Sequence, residues 1–136
     1  MRNQKKTIWL VDNNSMVAEG MKSFLGEDKY KIRIFPTGDA VIDEIKSKPS
    51  EKPDLIITDR STGGVQDGFA VLDAAKEAGI KAIMYSSKNV AVLAKKHGAF
   101  AFVLKDTNYA RFTETVNKAL KSESPDMQKD KPSKHR

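Results

Sequence analysis

The sequence predicts an α/β protein built on one doubly wound parallel sheet. Three observations carry this prediction. Short apolar runs bounded by breakers or polar residues recur five times along the 136-residue chain, and each is followed by apolar residues at helical spacing. The stretch Pro53-Asp54-Leu55-Ile56-Ile57-Thr58-Asp59 has the form of a strand buried on both faces, entered through a proline and ended by a carboxylate. Such strands belong to parallel sheets covered by helices on both sides. Crossovers between parallel strands are right-handed, so the strand C-termini line one edge, and open α/β sheets bind ligands in the crevice there.

In chain order, Thr7-Ile8-Trp9-Leu10-Val11-Asp12 is the first strand. Asn14 or Ser15 caps the next helix, because a short polar side chain accepts from free backbone N–H groups. Val17, Met21, Phe24 and Leu25 give that helix its apolar face. Lys31-Ile32-Arg33-Ile34-Phe35 alternates as a strand, and Asp39 leads into a helix with Val41, Ile42 and Ile45 inward. After Asp59, the glycines and small polar residues of 60–68 form a loop. Residues 69–78 read as a helix stopped by Gly79, and 81–85 as the fourth strand. A short helix over 89–97 ends at Gly98, residues 99–104 form the fifth strand, and Asn108 caps a last helix with Phe112, Val116, Ala119 and Leu120 inward. The expected organisation is one domain over 1–121 and a polar, disordered tail over 122–136, too poor in apolar residues to fold alone.

Composition bounds the function. With 39% hydrophobic residues the chain can bury a real core, and without cysteine it holds neither disulfides nor thiolate metal sites. The basic start precedes an apolar segment only a strand long, so neither a signal peptide nor a membrane span is expected and the protein reads as cytoplasmic. The net charge of +6 is spread along the chain without a nucleic-acid-binding motif; a solvated basic surface is expected, with no nucleic-acid or membrane partner. A glycine-rich dinucleotide loop after the first strand and a phosphate-gripping G-x-x-x-x-G-K-[ST] loop are both absent.

The strand ends instead carry Asp12 and Asn13, then Asp59, then Ser86, then Lys105. Two carboxylates, an amide, a hydroxyl and an ammonium on one edge suit Mg²⁺ and a phosphoryl group. Singly, each has a plainer reading: solvated acids, a helix cap, a surface lysine. Together, Leu10-Val11-Asp12-Asn13, the 53–59 strand, Asp67-Gly68, Tyr85-Ser86-Ser87, Gly98-Ala99 and Phe102-Val103-Leu104-Lys105 form an ordered set over about residues 6–121 that resembles the receiver domain of two-component response regulators. The resemblance implies a flavodoxin-like fold, a five-stranded sheet of order 2-1-3-4-5 with helices on both faces. It implies that Asp59 accepts a phosphoryl group from a histidine kinase or phosphotransfer protein, that Ser86 and Lys105 contact the phosphate, and that Phe102 is the switch aromatic. Mg²⁺ would be held by Asp12, Asn13, Asp59 and the backbone of Ser61. The implied protein is a stand-alone regulator that signals by docking on a downstream target, and not an enzyme beyond Mg²⁺-dependent phosphorylation and dephosphorylation of its own Asp59.

The chain also departs from the family pattern. Asn13 replaces the second of two adjacent acids, so weak Mg²⁺ binding is expected. The stretch from Asp59 to Gly68 is one residue longer than usual, Asp106 follows Lys105 in place of proline, and Lys88 sits where the family tunes phosphate loss. Arg60 is a candidate cation substitute at the metal position, because its guanidinium forks onto carboxylates and is always charged. These departures support an alternative reading, a degenerate receiver that binds a partner without phosphorylation. An aspartyl-phosphate hydrolase of the haloacid dehalogenase type ranks lower, because it wants a second acid where Ser61 stands.

Overall fold

A computed structural model describes residues 5–121. The tail expected over 122–136 lies outside the described residues. Strands and helices alternate strictly: β1 (Lys6–Val11), α1 (Ser15–Leu25), β2 (Tyr30–Phe35), α2 (Gly38–Ser47), β3 (Leu55–Asp59), α3 (Gly68–Ala78), β4 (Ala82–Ser86), α4 (Ala91–Lys96), β5 (Ala101–Leu104) and α5 (Tyr109–Lys121). The sheet is parallel throughout, in the order β2-β1-β3-β4-β5. The sequence-predicted fold and strand order are therefore observed.

Local chemistry explains the boundaries. The Asn14, Thr37, Asp67 and Asn108 side chains accept from the N–H groups of Val17, Ala40, Ala70 and Arg111 at 2.9–3.1 Å, starting α1, α2, α3 and α5. Gly79 ends α3 in the left-handed conformation, at φ 75°, where a Cβ would be strained. The fourth helix is shorter than predicted: Val90 precedes it with no side-chain cap, and the Asn89 side chain bonds the Ala91 N–H instead of starting the helix two residues earlier. Gly98, at φ 91°, turns the chain so that β5 begins at Ala101, later than predicted.

Strand alternation divides the core into two layers. Trp9, Val11, Phe35, Ile56 and Met84 pack with α2, α3 and α4. Ile8, Leu10, Leu55, Ile57, Ile83, Tyr85 and Val103 pack with α1 and α5. All five residues of β3 are buried, the burial expected of a central parallel strand. Two residues placed inward by periodicity are not covered: Val17 and Phe24 on α1 stand well exposed. Periodicity identifies an apolar face but not whether a neighbour covers it. Here Phe24 stacks on Tyr109 at a ring distance of 4.2 Å, and both rim an open hollow between α1, β5 and α5.

Candidate functional site

The strand order reverses direction between β1 and β3, which is where α/β sheets open a crevice. Register sets what meets there. Val11 pairs with Thr58, so the next residues, Asp12 and Asp59, leave the sheet side by side; Asp59 pairs with Tyr85, and Ser86 with Leu104, just before Lys105. Asp12, Asp59 and Ser86 are 2%, 8% and 2% exposed, a concentration of buried polar groups that a core alone would not tolerate without partners.

The partners differ from one acid to the other. Lys105 Nζ lies 3.2 Å from Asp59 Oδ2, while Asp59 Oδ1 has only a long contact, 3.4 Å, from the Ser61 N–H. Asp12 Oδ1 accepts from the Asn14 N–H at 2.9 Å, and Asp12 Oδ2 accepts a hydrogen bond from the Tyr85 hydroxyl. Burial first, and then the Asp12 carboxylate, pushes that hydroxyl far above the ordinary phenol range, so it stays a donor. The sequence places Tyr85 in the fourth strand and in the Tyr85-Ser86-Ser87 match, with no role at the site. The missed signal is parity: Tyr85 shares a sheet face with Ile83, and Asp12 with Ile8 and Leu10, and both faces are the one covered by α1 and α5.

The remaining candidates take distinct places. Ser86 Oγ accepts from the Lys88 N–H at 3.1 Å and from Arg60 Nε at 3.3 Å. Arg60 therefore reaches toward β4; no ion pair joins it to Asp12 or Asp59 among the described residues. Asn13 is exposed and packs against the loop after β3, where a methyl group on Gly63 would lie 3.1 Å from its Cβ. Phe102 is half-buried against the α2–α4 layer, apart from the two acids. A hollow of about 390 Å³ opens beside the site and shares Tyr85 and Lys105 with it.

The loop between β3 and α3 is held by specific devices. The Gly68 N–H donates to the Arg60 carbonyl at 2.9 Å, Thr62 Oγ1 donates to the Gln66 carbonyl at 2.5 Å, and the Gln66 N–H donates to Asp39 Oδ1 on α2 at 2.7 Å. Gly68 is required where it stands, because a methyl group there would overlap the Asp59 carbonyl oxygen. The turn after β5 closes through Thr107 N–H to Leu104 O and Lys105 N–H to Ser86 O, each at 2.9 Å, and contains no cis peptide.

The donor set suits a hard cation. It is all oxygen, and each Asp12 oxygen uses one lone pair on its hydrogen bond and keeps another. Among the described residues, no group of three or more His, Cys, Asp or Glu side chains gathers into a metal cage; the edge offers two carboxylates.

Comparison with known proteins agrees with this geometry. The model of the response regulator receiver domain matches residues 8–117. Among solved structures, the signal receiver domain of a protein described as a Luxo repressor from Vibrio parahaemolyticus is 27% identical, with a TM-score of 0.75 over 87% of this chain and 92% of that one. The BeF3-activated N-terminal receiver domain of RstA from Klebsiella pneumoniae, 21% identical, gives 0.76 over 86% and 100%. A response regulator receiver domain protein from Clostridium thermocellum, 20% identical, gives 0.73 over 85% and 94%. No curated protein matches the chain. No described helix is long and apolar enough to cross a membrane. Receiver domains in general are not true enzymes; they hold Mg²⁺ at the phosphoacceptor site and interact with kinases or phosphotransfer proteins and with downstream targets. With acids side by side at the ends of β1 and β3, and a lysine from the end of β5 paired to the second, the chain belongs to the response regulator receiver domain family of two-component signalling.

Proposed function

We propose that Asp59 accepts a phosphoryl group from the phosphohistidine of a kinase or phosphotransfer protein, and that the changed surface docks on a downstream target. The observation that carries this reading is the Lys105–Asp59 pair at 3.2 Å, with Asp59 Oδ1 left almost without a donor. In the transfer, Asp59 Oδ1 forms a bond to phosphorus, the P–N bond to the donor imidazole breaks, and that imidazole leaves with the electron pair and takes up a proton. Two anions must meet, so catalysis is positioning and electrostatics. Lys105 offsets the approaching charge, and the Ser86 hydroxyl receives a phosphoryl oxygen. Asp12, Asn13, Asp59 and the Ser61 carbonyl would hold Mg²⁺, which supplies further positive charge. Phe102, half-buried at the margin of the α2–α4 layer, has the placement expected of an aromatic that moves inward on activation.

The test is intact mass after incubation with acetyl phosphate and Mg²⁺. One added phosphoryl group, lost in Asp59→Asn, is expected. No adduct with this donor or with any kinase would support the second reading, a phosphorylation-independent interaction module. Two features favour that second reading: Asn13 brings no charge, and each Asp12 oxygen already carries one hydrogen bond, from Asn14 and from Tyr85.

A further inference from the structure

We infer that Arg60 is an additional phosphoryl-contacting residue: its guanidinium, resting on Ser86, closes over the phosphoryl oxygens and supplies positive charge beside a metal position that the neutral Asn13 weakens. The inference rests on the phosphoacceptor role of Asp59 and adds to it. Ser86 Oγ accepts two N–H groups, from Lys88 and from Arg60 Nε. A hydroxyl oxygen has two lone pairs, so both are used and the O–H is left only to donate. That hydroxyl is 2% exposed and has no acceptor among the described residues. A buried donor without an acceptor is costly, and one kept in a native site points to an anion placed there.

Arg60 adds to the same imbalance. Only its Nε is engaged, on Ser86, leaving both terminal nitrogens without a carboxylate or carbonyl among the described residues. Lys105 spends one of its three N–H groups on Asp59. On the side formed by Ser86, Arg60 and Lys105 the edge thus gathers unused donors, the converse of a phosphoryl group, whose three free oxygens accept only. The base of Arg60 is fixed: its N–H donates to the Tyr85 carbonyl at 3.2 Å and its carbonyl accepts from Gly68 at 2.9 Å. These backbone bonds fix where the side chain starts, and the contact of Nε with Ser86 sets where it ends. The planar fork of arginine then suits two oxygens at once.

The experiment uses beryllofluoride, which bonds to the acceptor carboxylate as a phosphoryl mimic, with fluorine NMR of the full chain in Mg²⁺. Arg60→Gln should weaken beryllofluoride binding roughly ten- to a hundredfold, the range for a charge-assisted hydrogen bond. It should also steepen the dependence of binding on Mg²⁺, since only the ion and Lys105 then face the anion. Arg60→Lys keeps the charge without the fork and should fall between the two; a purely structural role for Arg60 would leave the Mg²⁺ dependence unmoved. Equal affinity and equal Mg²⁺ dependence in wild type and Arg60→Gln would overturn the inference, as would wild type that binds no beryllofluoride. If Arg60→Gln does not fold, the Arg60→Lys titration decides, and affinity equal to wild type overturns it. Acetyl phosphate separates the two levels: adducts forming equally fast in wild type and Arg60→Gln defeat the Arg60 role alone, whereas no adduct in wild type with this donor or with any kinase defeats the phosphoacceptor role as well.

Discussion

The ends of β1 and β3 present two buried carboxylates with opposite surroundings. Asp12 is held by neutral donors, a backbone N–H and a phenol, one on each oxygen. Asp59 is held by a cation on one oxygen and by little on the other. A carboxylate with a hydrogen bond on each oxygen is held in place; one paired on a single side leaves its other oxygen almost free of donors and open to react. Two adjacent acids from the same kind of strand end are thus differentiated by what the next strands deliver: Tyr85 from the end of β4 to one, Lys105 from the end of β5 to the other.

The largest expected break in this comparison is at Lys105. Lys105→Ala should slow phosphorylation of Asp59 by acetyl phosphate about a hundredfold, the scale of losing one preorganised charge donor. The urea midpoint should barely move, since the lysine is partly exposed. A rate within a few-fold of wild type would show that the Asp59 end is not set by its cation.

Tyr85→Phe should give the reverse pattern, with a smaller effect. It removes a donor to a buried carboxylate and should cost about 1–3 kcal/mol of stability while leaving the acetyl phosphate rate nearly unchanged. Urea denaturation beside the phosphorylation time course checks both halves. A large rate loss at constant stability would move Tyr85 to the reactive end of the comparison.

The smallest effect is alkaline. Burial raises the Tyr85 hydroxyl above its unfolded value, so the folded chain keeps this proton where the unfolded chain releases it. The associated stability is complete below about pH 10 and declines as pH rises further, because the unfolded state then binds fewer protons. Urea midpoints followed upward from about pH 9 should fall more steeply in wild type than in Tyr85→Phe. Parallel curves would mean that the phenol is not held neutral by its site.

The apolar runs and breakers made the five strands legible, because a buried parallel strand has few other readings. The gathering of Asp12, Asp59, Ser86 and Lys105 at one edge was legible, because strand-end positions follow once the strands are placed. What was not legible depended on contacts between elements. Tyr85 looked like any aromatic in a strand until register set it beside Asp12. Arg60 has two acids within plausible reach in sequence terms, yet its side chain goes to a hydroxyl on the neighbouring strand. Val17 and Phe24 repeat at core spacing but face a hollow, because nothing in a single helix's pattern says whether another element fills the space beside it.

The bond from the Gln66 N–H to Asp39 Oδ1 has a consequence for measurement. It joins the loop that leaves Asp59 to the first turn of α2, two segments far apart in sequence. The Gln66 amide can exchange with solvent only when they part. Its exchange rate, read with and without beryllofluoride, turns one backbone proton into a gauge of whether an event at Asp59 is felt on the α2 side of the sheet.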